Sequence, residues 1–89
     1  MKRIHIIYSG RVHGVGFRFT AVDLAIKNNL TGWVKNTLDG KVEIVVEGEE
    51  TELDQYLTAI ESIMKIYIRE KSIYCESATG EFVDFRIEY

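Results

Sequence analysis

Within a dozen residues this chain changes its hydrophobic period, and that change limits its architecture more than any other feature. Val42, Ile44 and Val46 fall on alternate positions against Glu43, Val45 and Glu47, which is the spacing of a strand with a fully apolar face. Leu53, Tyr56, Leu57, Ile60, Ile63 and Met64 then recur at i, i+3, i+4 and i+7, the spacing of one helix face. With 89 residues in all, there is too little chain for two separate cores. Sheet and helix must share one core, in a single domain spanning residues 1–89.

The remaining segments extend the pattern. Ile4 to Ser9 is apolar and β-branched and reads as a first strand ending at Gly10. Gly10-Arg11-Val12-His13-Gly14-Val15-Gly16 follows, a loop whose glycines allow unusual backbone angles or a close approach. Phe17 to Asn29 reads as a helix with Phe19, Val22, Ala25 and Ile26 on its apolar face and Asn28-Asn29 at its end. Gly32 to Asn36 and Lys41 to Glu47 form a hairpin about the turn signal Asp39-Gly40, and Gly48 ends it. Thr51, with Asp54 three residues on, suits the N-terminal cap of the second helix. A further strand is expected within Tyr67 to Glu76, then a turn at Thr79-Gly80. A last strand is expected over Phe82 to Tyr89, with Val83, Phe85, Ile87 and Tyr89 on one face. The order is βαββαβ with an additional strand division near the end. It predicts an α+β, ferredoxin-like sandwich in which two helices cover one face of an antiparallel sheet.

Composition excludes several classes of function. A chain 46% hydrophobic and 28% charged is an ordinary soluble globular protein. A net charge of −3 and a pI of about 5.3 argue against a nucleic-acid binder, which draws its affinity from Lys and Arg on phosphates. Cys75 is the only cysteine, so there is no internal disulfide and no zinc site of paired thiolates. Met1 to Tyr8 is too short and polar for a signal peptide, and no stretch approaches the ~18 apolar residues of a membrane span. A cytoplasmic protein is expected, and the sequon Asn29-Leu30-Thr31 is then a chance match.

The loop from Arg11 to Phe17 is the first place where chemistry is indicated. It joins a strand to a helix, so its amides can converge on an anion at the positive end of the helix dipole. Arg18, at the start of that helix, has a fork of donors able to hold two oxygens of a phosphoryl group. Neither common nucleotide motif is present: no Lys-Ser/Thr follows Gly14, and Gly14-Val15-Gly16 lacks a third glycine. On these residues alone, a turn that merely connects strand to helix, with Arg18 in solvent, is an equal reading.

A second constellation separates the two. Gly32-Trp33-Val34-Lys35-Asn36-Thr37-Leu38-Asp39-Gly40-Lys41-Val42, together with Gly10, Val12, Gly14, Val15, Phe17 and Arg18, resembles the two signatures of the acylphosphatase family. The ending from Thr79 to Tyr89 resembles that family too. The resemblance implies hydrolysis of carboxyl-phosphate anhydrides such as acetyl phosphate, carbamoyl phosphate or 1,3-bisphosphoglycerate, with no metal and no organic cofactor. It implies that the loop (Arg11, Val12, His13, Gly14, Val15, Gly16, Phe17) and Arg18 bind the phosphoryl group. Asn36 would hold the attacking water, and the phosphoryl oxygens would take its proton. It further implies a monomer that has a small-molecule substrate, releases and is inhibited by inorganic phosphate, and has no nucleic-acid or membrane partner. Two departures stand out: His13 replaces the family's usual glutamine, and Ser62 to Ile66 lacks its usual Gly-Pro turn. The alternative is a non-catalytic ferredoxin-like module that binds a small ligand or a protein. An RNA-binding version is disfavoured because Lys41 to Glu47 has no aromatic residue and is acidic.

Other polar and aromatic residues take structural readings. His13 is a loop side chain without proton transfer, His5 a strand residue, and Tyr8 and Trp33 core or core-edge aromatics. Thr37 either braces Asn36 or faces water. Lys35, Lys41 and the acidic residues Glu47, Glu49, Glu50 and Glu52 are expected in solvent.

Overall fold

Inward and outward positions alternate from the first strand onward, as a sheet with one covered face requires. In the computed structural model, which describes all 89 residues, β1 (Lys2–Gly10) buries Ile4, Ile6 and Tyr8 and leaves the residues between them less covered. It is followed by α1 (Phe17–Lys27), β2 (Thr31–Asn36), β3 (Val42–Gly48), α2 (Glu50–Ile63), β4 (Ile68–Ser77) and β5 (Phe85–Ile87). The strands lie in the order β4-β1-β3-β2-β5. One cluster joins Ile4, Ile6, Tyr8, Val34, Val42, Ile44 and Val46 of the sheet to Phe17, Ala21 and Ala25 of α1 and Leu53, Tyr56 and Ile60 of α2. The Tyr56 hydroxyl donates to the Ala21 carbonyl at 3.0 Å and ties the helices together. This is the expected ferredoxin-like arrangement, with both helices on one face.

The sheet is mixed rather than wholly antiparallel. β1 pairs antiparallel with β3 and β4, and β2 with β3, but β5 runs parallel to β2. The chain leaves β4 at the end of the sheet where β2 begins. After crossing that end it enters β5 in the direction of β2. The pairing is short, Gly32 with Phe85 through Val34 with Ile87. Only Phe85 and Ile87 of the expected apolar stripe are covered. Val83 and Tyr89 lie beyond the pairing, exposed.

Two local expectations change as well. α1 packs through Phe17, Ala21 and Ala25, whereas Phe19 and Ile26 are 73% and 64% exposed. Alanines present little bulk, so that face lets the helix sit close to the sheet. α2 starts at Glu50, with Glu49 as its N-cap residue and no side-chain cap, which places Thr51 inside the first turn. Glu50 and Glu52 in that turn face the positive end of the helix dipole, as expected of acidic residues there.

Glu47 is not in solvent: it is 2% exposed and holds the crossing segment in place. Its carboxylate accepts from Arg3 Nε at 2.6 Å, from the Thr79 and Gly80 amides at 3.0 Å each, and from Thr79 Oγ1 at 3.2 Å. Arg3 also bonds to Thr79 and Glu81, and its guanidinium lies 5.0 Å from the centre of the Phe82 ring. Burial by itself would raise the pKa of Glu47. The Thr79 amide, Arg3 and the Gly80 amide outweigh it and hold the group at about 2, against an ordinary 4.5. A depressed carboxylate stabilises the fold above its unfolded pKa and loses that contribution as pH falls through the folded one. Glu47→Gln is therefore expected to lower stability at pH 7 by about 1–3 kcal/mol, because buried donors lose a charged acceptor. In urea titrations the difference from wild type should shrink between pH 4.5 and about 2; a difference independent of pH would contradict this account.

Candidate active site

The loop between β1 and α1 is fixed at two points and free between them. Val12 and Phe17 are buried, 1% and 2% exposed, and the Phe17 ring packs on Tyr8 with centroids 5.5 Å apart. Tyr8 is in turn held by its hydroxyl, which donates to Glu61 Oε2 at 2.8 Å; burial and that carboxylate push its ionisation well above the usual tyrosine range. Between the two anchors, Gly14 and Gly16 adopt φ of 72° and 76°. A Cβ at either would meet nothing within 4 Å, so the backbone angle and not space calls for glycine. Gly10 differs: a Cβ there would lie 2.2 Å from the Tyr67 carbonyl, which accepts the Arg11 amide at 2.9 Å.

The consequence is a run of donors with no partner inside the protein. Gly16 is the N-cap residue of α1 and has no side chain to cap it, and no acidic residue occupies the first turn. Past Arg11, the first amide bonded within the protein is that of Thr20, to the Gly16 carbonyl at 3.1 Å. Amides from Val12 to Phe19 therefore remain available at the positive end of a helix, the arrangement that suits an anion.

Arg18 adds charge. Arg3 and Arg86 are spent on Glu47, Glu81 and Asp84, but Arg18 joins no ion pair and lies only against the Tyr89 ring, 5.7 Å from its centre. Its fork of donors is uncommitted.

The facing wall is the β2–β3 hairpin. Asn36, the last residue of β2, pairs with Val42. The turn beyond it closes through Thr37: its amide donates to the Lys41 carbonyl at 2.8 Å, and its Oγ1 accepts the Lys41 amide at 2.9 Å and donates to Asp39. That hydroxyl also lowers the pKa of the Asp39 carboxyl. Thr37 thus braces the turn, and its hydroxyl is not bonded to Asn36. Asn36 Oδ1 is buried without any hydrogen-bond partner, an uncommon condition that costs stability unless a ligand or water supplies a donor.

Loop, arginine and asparagine meet in one hollow of about 150 Å³, lined by Val12, Gly14, Gly16, Phe17, Arg18, Phe19 and Asn36. Arg11, His13 and Val15 do not line it. The Arg11 amide is taken by Tyr67, the His13 ring reaches across to the Lys41 carbonyl at 2.8 Å, and Val15 packs against the core. The sequence places Phe19 on the apolar face of its helix and Tyr89 on the apolar face of the last strand, yet Phe19 lines the hollow and Tyr89 flanks Arg18. An exposed aromatic beside the loop could have signalled this, but only once the helix's buried face was known. The hollow can hold a phosphoryl group beside a water, whose share of liquid volume is about 30 Å³.

A small α+β domain with an uncapped, glycine-bent loop opposite an unpartnered asparagine is thus defined by fold and site together. A family model described as Acylphosphatase matches residues 4–87. The chain is 43% identical over 90 residues to the acylphosphatase of Geobacillus kaustophilus (strain HTA426), covering 100% of this chain and 96% of that one. The crystal structure of acylphosphatase from Bacillus subtilis superposes with a TM-score of 0.92 at 35% identity, covering both chains fully. HypF from T. kodakarensis contains a similar unit, 32% identical with a TM-score of 0.79, which makes up 12% of that chain. This chain belongs to the acylphosphatase family, and its full-length match to enzymes of that name makes it an acylphosphatase.

If the free amides form the anion site, titration with inorganic phosphate should shift the amide resonances of Gly14 to Phe17 in ¹⁵N-correlated spectra while Arg11 stays nearly still. Shifts spread over the open sheet face, or none, would remove the loop as the anion site.

Proposed function

We propose that the hollow between the loop and Asn36 hydrolyses acyl phosphates, with each wall doing a different part of the work. The Oδ1 of Asn36, buried without a hydrogen-bond partner in a residue that lines the same hollow as Gly14, Gly16 and Phe17, is the observation that carries this reading. The loop amides from Gly14 to Phe17 and the guanidinium of Arg18 hold the phosphoryl oxygens. Asn36 Oδ1 accepts a hydrogen bond from a water and holds it toward phosphorus. The water oxygen bonds to phosphorus as the bond between phosphorus and the acyl oxygen breaks, and the acyl group leaves as a carboxylate. The water's proton passes to a phosphoryl oxygen, giving dihydrogen phosphate. A carboxylate is already a good leaving group, so positioning and charge stabilisation meet most of the demand of the step.

The same reading makes inorganic phosphate a competitive inhibitor, since product and substrate share the cradle. It fits a monomeric, cytoplasmic enzyme that acts on free small molecules; no helix is long and apolar enough to cross a membrane.

The test is hydrolysis of acetyl phosphate and benzoyl phosphate beside a stable monoester such as p-nitrophenyl phosphate, where only the anhydrides should be consumed. Arg18→Ala should lower kcat/KM by ~10²–10³ and weaken inhibition by phosphate, and lysine should rescue it poorly because it lacks the two-pronged contact. Asn36→Ala should lower kcat by a similar order and leave phosphate inhibition nearly unchanged. Normal turnover in Asn36→Ala, with folding verified by circular dichroism and melting, would strike Asn36 from the mechanism.

A further inference from the structure

The two walls of the hollow come from different parts of the chain; strand pairing up to Tyr8–Val42 and the buried Val12 and Phe17 hold their ends, and the loop between those anchors has few ties to the hairpin. On one side the loop is tied to the rest of the fold by the Arg11 amide on the Tyr67 carbonyl. Toward the hairpin no backbone hydrogen bond crosses. What crosses is a side chain: His13 Nε2 lies 2.8 Å from the Lys41 carbonyl oxygen. A carbonyl can only accept, so Nε2 carries the proton and the imidazole donates.

The acceptor lies at a rigid point of the hairpin. The Lys41 carbonyl also takes the Thr37 amide at 2.8 Å, and Thr37 Oγ1 lies 3.2 Å away. Thr37 directly follows Asn36, and Lys41 directly precedes Val42, the strand partner of Asn36. The His13 ring therefore attaches the loop one residue from the Asn36–Val42 pair. Its neighbour Gly14 has a positive φ, and a Cβ there would meet nothing within 4 Å, so no side chain at that point braces the loop.

We infer that His13 is a positioning residue: its Nε2–H bond to the Lys41 carbonyl sets the distance between the phosphoryl cradle and the water held by Asn36. The inference rests on the acyl phosphate reading of the hollow. It assigns the His13 side chain no contact with substrate and no proton transfer; the ring acts on the geometry across which the water must travel. In a reaction governed by positioning, a displacement of about 1 Å can cost ~10²-fold, so a loop loosened on one side should lose a substantial part of that.

The expected pattern is specific. His13→Ala should lower kcat about tenfold with benzoyl phosphate. Inhibition by inorganic phosphate should change less than about twofold, because amides and Arg18 stay on the loop and its helix. His13→Gln keeps an N–H able to reach the carbonyl and should recover most of the loss, to within about threefold of wild type. In an Asn36→Ala background, where no water is held, His13→Ala should have little further effect, because two residues acting on one geometry are not additive. Melting temperatures of all variants control for folding; His13 is exposed and its replacement should leave the melt in place.

Wild-type turnover in His13→Ala would overturn the inference. So would a tenfold loss that persists undiminished in the Asn36→Ala background, or a glutamine variant as defective as alanine with an unchanged melt. Failure of the underlying reading looks different: Asn36→Ala itself would then turn over normally. A defective Asn36→Ala beside a normal His13→Ala leaves that reading standing and removes only the role given to His13.

Discussion

Burial of Val12 and Phe17 on either side of an unburied glycine turn is the constraint on which the site depends. Each side chain takes its place in the core because it is apolar, and the backbone between them must bridge the gap however it can. It does so with positive φ at Gly14 and Gly16, and leaves the loop amides without a partner in the protein and α1 without a side-chain cap. Hydrophobic packing thus holds a set of polar groups in a state they would not adopt alone. Those donors have no partner within the protein, and the same feature suits the loop to the anion proposed above.

Two arginines are used differently in keeping with this. On the open face, Arg3 is consumed by Glu47 and Glu81, and its task is to fasten the segment that crosses from β4 to β5. Arg18 has no such partner. An arginine bound to a buried carboxylate is part of the scaffold; one resting on an aromatic ring keeps its donors for something else. The acylphosphatase membership shown by the full-length relatives agrees with this division on the reading proposed above, in which a phosphoryl group takes up an uncommitted cation.

How far the sequence could be read depended on whether a local pattern had competitors. In α2, apolar residues occupied one stripe, of which the structure buries Leu53, Tyr56, Ile60 and Met64, half-buries Leu57 and leaves Ile63 exposed. In α1, Phe17, Phe19, Val22, Leu24 and Ile26 surround the helix, so periodicity could not choose a face; the sheet chose it, by accepting the small Ala21 and Ala25. The alternation from Val83 to Tyr89 was equally legible, yet only Phe85 to Ile87 pair with β2. Glu47 read as one member of an acidic run, and nothing nearby in sequence revealed that Arg3, Thr79 and Gly80 would close over it.

Sequence alone determined the order of elements, the single core, the loop with Arg18 and, through its signatures, the acylphosphatase resemblance. All of these rest on local spacing or on residue types at fixed offsets. Only the tertiary structure decided that β5 lies parallel to β2, that Glu47 is buried and that Thr37 serves the turn and not Asn36. It also decided that His13 reaches the Lys41 carbonyl 28 residues away. These depend on which segments the folded core brings side by side, and no local pattern carries that information, because contacts between distant residues are fixed by the shared core and not by their neighbours in the chain.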